Sequence, residues 1–199
     1  MTNISKEIKK YRKTSSEIEP LILNRWSSRA MSGEYISDEE LMSLFEAARW
    51  APSSNNNQPW RFIYTKKYSD EWNIFFSFLA DANKLWAHNA AALIVIISKK
   101  TFDYNDKPSK SHSFDAGAAW ENLALEAINK GLLIRGIGGF DYETAKKILN
   151  IPDDYEVEIM VAVGKPGSVE NLHEMFKDKN IPSLRKPISE IVMKGKFIK

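Results

Sequence analysis

The stretch that most limits what this chain can fold into is Leu93-Ile-Val-Ile-Ile-Ser98. It is too apolar for the edge of a sheet and reads as a strand covered on both faces. Around it the sequence alternates between helical and strand patterns without a regular βαβ rhythm. Ser37-Asp-Glu-Glu has capping-box spacing and opens a helix with Leu41, Leu44, Phe45 and Ala48 on one face, ending near Pro52. Ser16 and Glu19 have the same spacing and predict a helix over residues 17–25. Arg61 to Thr65, Leu132 to Ile137 and Glu156 to Val163 read as further strands, and Glu71 to Leu79 as an aromatic helix. Phe114 to Lys130 reads as a long helix with Ala118, Leu125 and Ile128 on one face, widened by Leu123 and Ala127, and with Gly131 at C′. Asp141 is placed to cap a helix through Leu149. The class is therefore α+β: helices packed on a small mixed or antiparallel central sheet.

Composition removes several kinds of chemistry. The 199 residues contain no Cys, which excludes disulfides, thiolate metal sites, Fe–S clusters and a Cys nucleophile. The three His (His88, His112, His173) are far apart in sequence, so no His-rich metal site is expected. With 28 Lys+Arg against 26 Asp+Glu, the net charge of +2 gives no global electrostatic reason to expect nucleic acid. No run approaches the ~20 apolar residues of a membrane span. No targeting segment is read, and the expected location is the cytoplasm. Residues 1–15, with Lys6, Lys9, Lys10, Arg12 and Lys13, form a basic N-terminal extension that reads as a solvated face or frayed terminus, and residues 16–199 form a single domain.

Four segments carry candidate chemistry. In Arg25-Trp-Ser-Ser-Arg29, two guanidiniums with hydroxyls between them suit a phosphate clamp; a helix C-terminus satisfied by Arg would look the same. Ala51-Pro-Ser-Ser-Asn-Asn-Asn-Gln-Pro-Trp60 confines small and amide side chains between two prolines. It fits a heterocycle with alternating C=O and N–H groups, a polyol, or an ordinary Asn/Ser turn. Arg135-Gly-Ile-Gly-Gly-Phe140 permits close backbone approach to a flat ligand, or a simple turn, and it is not the GxGxxG fingerprint. Ser183-Leu-Arg-Lys-Pro187 is a basic segment that a solvated turn also explains. There is no GxxxxGK[ST], no HExxH and no Ser/His/Asp set that recommends itself.

Taken together and in this order, the segments resemble the nitroreductase family of FMN-dependent NAD(P)H oxidoreductases. The resemblance runs from about Pro20 to Met193 and is carried by Arg-x-Ser-x-Arg, Pro-Ser-Ser-x-Asn-x-Gln-Pro-Trp, Asn83 ahead of an apolar strand, the Gly-Gly-Phe turn, Val-Ala-Val-Gly-Lys-Pro and Arg-Lys-Pro-Ile. It implies a nitroreductase-like fold in a domain-swapped homodimer, with FMN as cofactor, NADH or NADPH as co-substrate and a small-molecule electron acceptor. It also implies that Arg25, Ser27, Arg29 and Arg185 hold the FMN phosphate. Ser53, Ser54, Asn56 and Gln58 would line the flavin and ribityl chain, Asn83 would meet the pyrimidine edge, and Gly138 and Gly139 would turn backbone N–H groups toward N5. Some of these residues would serve the partner's flavin. No side chain acts as a nucleophile and no metal is expected. Two positions often basic in the family are Ser183 and Trp86 here. The resemblance also leaves open a same-fold enzyme of reductive dehalogenation or flavin destruction, and a non-catalytic flavin-binding protein. Acceptor specificity is expected from residues 104–113 and 72–78.

Overall fold

A computed structural model of the chain describes residues 3–197. Its centre is a four-stranded sheet of order β1-β2-β4-β3, from β1 (Trp60–Lys66), β2 (Ala92–Lys99), β3 (Leu133–Ile137) and β4 (Tyr155–Gly164). Every pairing is antiparallel. Nine α-helices surround it among the described residues: α1 (Lys6–Tyr11), α2 (Pro20–Asn24), α3 (Asp38–Arg49), α4 (Trp72–Phe78), α5 (Asp81–Ala87), α6 (His112–Asn129), α7 (Tyr142–Ile148), α8 (Glu174–Lys177) and α9 (Ile188–Ile191). No described helix is long and apolar enough to cross a membrane.

The apolar run sits where its composition requires. In β2 alternate side chains enter opposite cores: Leu93, Val95 and Ile97 pack with Phe78, Trp86 and Met160, while Ile94 and Ile96 pack with Leu44, Leu123 and Val161. The period-2 alternation of a strand thus divides one sequence between two layers. The second layer is built by α3 and α6, and the first mainly by α4, α5 and α7. The Ser37 capping box forms as expected, with Ser37 accepting from Glu40 N and Glu40 accepting from Ser37 N. At the end of α6, Gly131 takes φ +74, and the amides of Gly131 and Leu132 donate to the carbonyls of Ile128 and Ala127. This is the two-bond closure a C′ glycine permits.

Three expectations need correction. The helix read over residues 17–25 is confined to Pro20–Asn24, and Ser16 does not cap it. Pro20 fixes φ at the first helical position and keeps Glu19 extended (φ −56, ψ 124), so the helix cannot grow backwards. The buried stripe of α6 is Ala116, Ala119, Leu123 and Ala127; of the expected face, Leu123 and Ala127 are buried, whereas Ala118, Leu125 and Ile128 are only half-buried. A helix apolar over most of its circumference gives its sequence no unique inward face, and small Ala side chains let it settle close to the strands. Among the described residues the basic start is not frayed: Ser5 caps α1, Ile8 is buried and Asn24 Oδ1 accepts from Ser5 N, while Lys6, Lys9, Lys10 and Lys13 form the exposed face expected.

Candidate functional site: an arginine clamp joined to an Asn–Gly turn

Arg25 leaves α2 with extended backbone (φ −70, ψ 117), so the short helix feeds directly into Arg25-Trp-Ser-Ser-Arg29. The segment is fixed from behind by a buried network. Asn180 Oδ1 accepts from the Arg29 amide at 2.7 Å, and Asn180 Nδ2 donates to Ser28 Oγ at 3.2 Å. Beyond it, Gly167 N donates to Ala30 O at 2.7 Å and Ser32 N to Lys165 O at 2.9 Å, stitching this strip to the turn after β4. A Cβ at Gly167 would lie 2.8 Å from backbone atoms of Met31 and Ser32, so the close approach needs glycine.

The clamp holds more positive charge than the chain neutralises. Arg25 pairs with Glu121 of α6 at 3.2 Å. Arg29 packs its guanidinium 4.8 Å from the Phe176 ring centroid, and its Nε is buried without a partner. Burial holds the Arg29 guanidinium below its ordinary value. Arg135, from β3, donates to the Ser27 carbonyl, and its pKa is pushed down to about 10, first by burial and then by Arg29. Neither Arg29 nor Arg135 has a carboxylate partner among the described residues. Two neighbouring guanidiniums in a partly dry site, one with an orphaned N–H, make a site short of an anion. A phosphate dianion, which accepts several charge-assisted hydrogen bonds, fits that deficit.

A line of contacts runs from this clamp to the Gly-Gly turn. The Arg135 guanidinium lies 5.6 Å from the Trp86 ring centroid, Trp86 Nε1 donates to Asn83 Oδ1 at 3.1 Å, and Asn83 Nδ2 donates to Gly139 O at 2.9 Å. Asn83 and Trp86 lie three apart on α5, hence on one face. A Cβ at Gly139 would stand 2.7 Å from Asn83 Nδ2, so a larger residue there would displace the Asn83 amide from its present bond to Gly139 O. Gly138 and Gly139 are exposed, and Tyr142 donates its hydroxyl to Gly138 O at 3.3 Å. Both polar ends of Asn83 already have partners within the chain, which makes it the fastener of the turn. Trp86, where the family often has a basic residue, is fully buried with Arg135 against it.

The amide loop occupies a different place. Asn55, Asn56 and Gln58 have φ of 52°, 52° and 48°. Three non-glycine residues in the left-handed region are a local cost that Asn tolerates best. The loop is held by Asp115 Oδ2, which accepts from the Ser54 amide at 3.1 Å, and by Asn57, which donates to Thr101 O and accepts from the Asp103 amide. Ser53 Oγ accepts from Gln58 N, and Gln58 Nε2 donates to Asn56 O. The loop and clamp are both anchored on α6, at Asp115 and Glu121. Six residues of helix put those anchors about 9 Å apart along the axis. No hydrogen bond or ion pair among the described residues joins the loop side chains to Arg25, Arg29 or Asn83.

Arg185 completes the predicted set on an exposed C-terminal turn, where its Nη1 donates to Ser183 Oγ at 2.8 Å. Arg25, Ser27 and Arg29 thus follow one another on a single segment: Arg25 pairs with Glu121, while Arg135 binds at Ser27 O and leads through Trp86 to Asn83 and Gly139. Among the described residues, no hydrogen bond joins Ser53, Ser54, Asn56 or Gln58 to Arg25, Arg29 or Asn83, although loop and clamp share α6 as anchor. Reading the sequence missed Arg135, Arg12, Asp115 and Asn57. Arg135 had a signal, being a lone cation inside an otherwise apolar strand. One other expectation changes. Phe75 and Phe78 of the aromatic helix are buried core, not a substrate-facing wall. Ser98 lies between His112 Nδ1 (2.7 Å) and Glu158 Oε1 (2.5 Å), yet it is fully buried with its hydroxyl donated to the carboxylate, so no nucleophile is exposed there.

A family model described as the nitroreductase family matches residues 22–74 and 66–165. A provisionally named NADH dehydrogenase/NAD(P)H nitroreductase of Archaeoglobus fulgidus is 31% identical over 164 residues, 77% of this chain and 88% of that protein. A provisionally named NAD(P)H nitroreductase of Bacillus subtilis is 26% identical over 200 residues, covering 84% of this chain and 93% of its own. Among solved structures, one described as an oxidoreductase containing FMN superposes with a TM-score of 0.90 at 38% identity, covering 94% of this chain and 96% of the other.

Proposed function

The chain belongs to the nitroreductase family, and from that premise we propose that it uses NADH or NADPH to reduce nitroaromatics, quinones or a similar small acceptor. It is an FMN-dependent oxidoreductase. When bound, FMN would supply the hydride-accepting and electron-donating chemistry between reduced nicotinamide and acceptor. The chain's own residues bind, orient and balance charge. Arg25, Ser27 and Arg29, with Arg185 from the C-terminal turn, hold the phosphate; Asn83 and the Gly138-Gly139 turn meet the ring; the Ser53–Gln58 loop lines the flavin and ribityl chain.

The observation that carries this reading is the anion-deficient clamp around Arg29 and Arg135, connected through Trp86 to the Asn83–Gly139 fastening. A phosphorylated, flat, amide-bearing ligand fits both ends. A second copy of the chain is part of the proposal. The C-terminal arm exposes Leu184, Ile188, Ile191, Val192 and Phe197, and α6 exposes Phe114 at its start. An apolar arm of that kind suits burial against a partner. The amide loop, which makes no hydrogen bond to the clamp among the described residues, would then reach the flavin of the other subunit.

Visible spectra before and after anaerobic addition of NADH and NADPH test the proposal. The expected result is flavin absorbance that bleaches with one or both nucleotides and returns on adding a nitroaromatic or quinone. A colourless protein that fails to bind added FMN would refute it. Flavin that no reduced nicotinamide bleaches would leave the non-catalytic binding protein as the better account. Sedimentation velocity tests the dimer, and a concentration-independent monomer would remove it.

A further inference from the structure

The basic N-terminal stretch has no part in the flavin reading so far, and Arg12 gives it one. Arg12 follows α1 and ties three segments together. Its Nη1 donates to the carbonyls of Leu23 (2.6 Å) and Arg25 (2.8 Å), where α2 hands over to the clamp. Its Nε donates to the Ser183 carbonyl (3.3 Å), where the turn carrying Arg185 begins. The remaining nitrogen, Nη2, is buried and has no partner. Burial first, then Arg185 and Arg25, hold the Arg12 guanidinium below its ordinary value, so three cations stand close together. All three line a cavity of about 1020 Å³ between the N-terminal and C-terminal segments. Glu121 is the one carboxylate among its lining residues, and it is already paired with Arg25.

Like charges brought together with one donor left over cost free energy unless an anion joins them. We propose that Arg12 is a positioning residue of the phosphate clamp: its contacts with the Leu23, Arg25 and Ser183 carbonyls align Arg25 with the Arg185 turn, the two cations that hold the phosphate of the bound flavin nucleotide. The inference rests on the FMN reading above and extends it to a segment outside the family-matched residues 22–165. In consequence the N-terminal segment governs how tightly the cofactor is retained, and it discriminates FMN from riboflavin, which lacks the phosphate.

The test is titration of flavin-free protein with FMN and, separately, with riboflavin, for wild type, Arg12→Ala and Arg12→Lys. The FMN affinity of Arg12→Ala should fall on the order of 10- to 100-fold while riboflavin affinity changes less than about two-fold. Arg12→Lys keeps the charge without the planar fork and should lose roughly 3- to 10-fold toward FMN only. Should the alanine variant fail to fold, the lysine variant decides the question alone. Equal losses for both flavins would mark a purely structural residue and overturn the inference, as would unchanged FMN affinity. Wild-type protein that binds no FMN would instead refute the parent reading, and this inference with it.

Discussion

Replacing Arg135 by Met separates the clamp's two burdens, since the apo chain carries an uncompensated cation that the loaded protein uses. The lowered pKa of about 10 means the charged form is disfavoured in the folded chain. The displacement from the ordinary guanidinium value corresponds to about 3 kcal/mol before screening. Solvent screening of a group with part of its surface exposed reduces this to roughly 1–2 kcal/mol. The sign is that of a depressed basic group: the penalty is present below about pH 10 and is relieved as pH rises through that value toward the unfolded one. Against it stands the hydrogen bond to Ser27 O, about 1.5–3 kcal/mol for a charged donor. The two roughly cancel, so Arg135→Met should shift apo stability by about 1–2 kcal/mol at most. The cofactor-dependent term behaves differently. Losing one charge-assisted contribution of about 1.5–3 kcal/mol weakens FMN binding about 12- to 160-fold. At a free FMN concentration of about 100 times the wild-type Kd, ligand stabilisation is ~2.7 kcal/mol for wild type and ~0.3–1.3 kcal/mol for the variant. For a chain of this length that is a Tm rise of about 5–11 °C shrinking to about 1–5 °C. Differential scanning calorimetry with and without FMN reads both quantities. Equal FMN-dependent Tm increments in the two proteins would show that Arg135 does not serve the anion site.

Other substitutions probe the scaffold beneath the site. Ser37→Ala removes the capping box of α3 and should cost about 1 kcal/mol by urea unfolding. Glu40, held below its usual range first by the Ser37 backbone N–H, contributes stability above its unfolded pKa that is lost as pH falls through the depressed folded value. Glu40→Gln, which cannot ionise, should therefore show a flatter acid unfolding profile than wild type, and parallel profiles would contradict the box. Gly167→Ala forces a Cβ to within 2.8 Å of backbone and should destabilise by roughly 1–3 kcal/mol while weakening FMN binding through the Ala30 strip. An alanine variant as stable as wild type would show that the strip can move aside. Asp115→Ala removes the acceptor of the Ser54 amide and should speed amide exchange at residues 54–57 while leaving β2 protected. Unchanged exchange in the loop would mean that Asn57 alone holds it.

The parts legible in the sequence are those set by near neighbours. The apolar run of β2, the Ser37–Glu40 box, the C′ glycine at 131 and the Asp141 cap each depend on residues within a few positions, where period and backbone sterics decide the outcome. The order of the motif segments also revealed the family without coordinates. Local pattern failed where it carried too little information. α6 is apolar on too many sides to show which face meets the sheet, and Pro20 overrode a correctly spaced Ser and Glu. Tertiary structure alone decided how the site is held. Arg135 reaches Ser27 across 108 residues and Arg12 reaches Ser183 across 171. It also anchored the amide loop and Arg25 on one helix, through Asp115 and Glu121. Contacts between such distant residues arise when whole elements pack, since burial and charge depend on everything that surrounds a side chain and not on its neighbours in sequence.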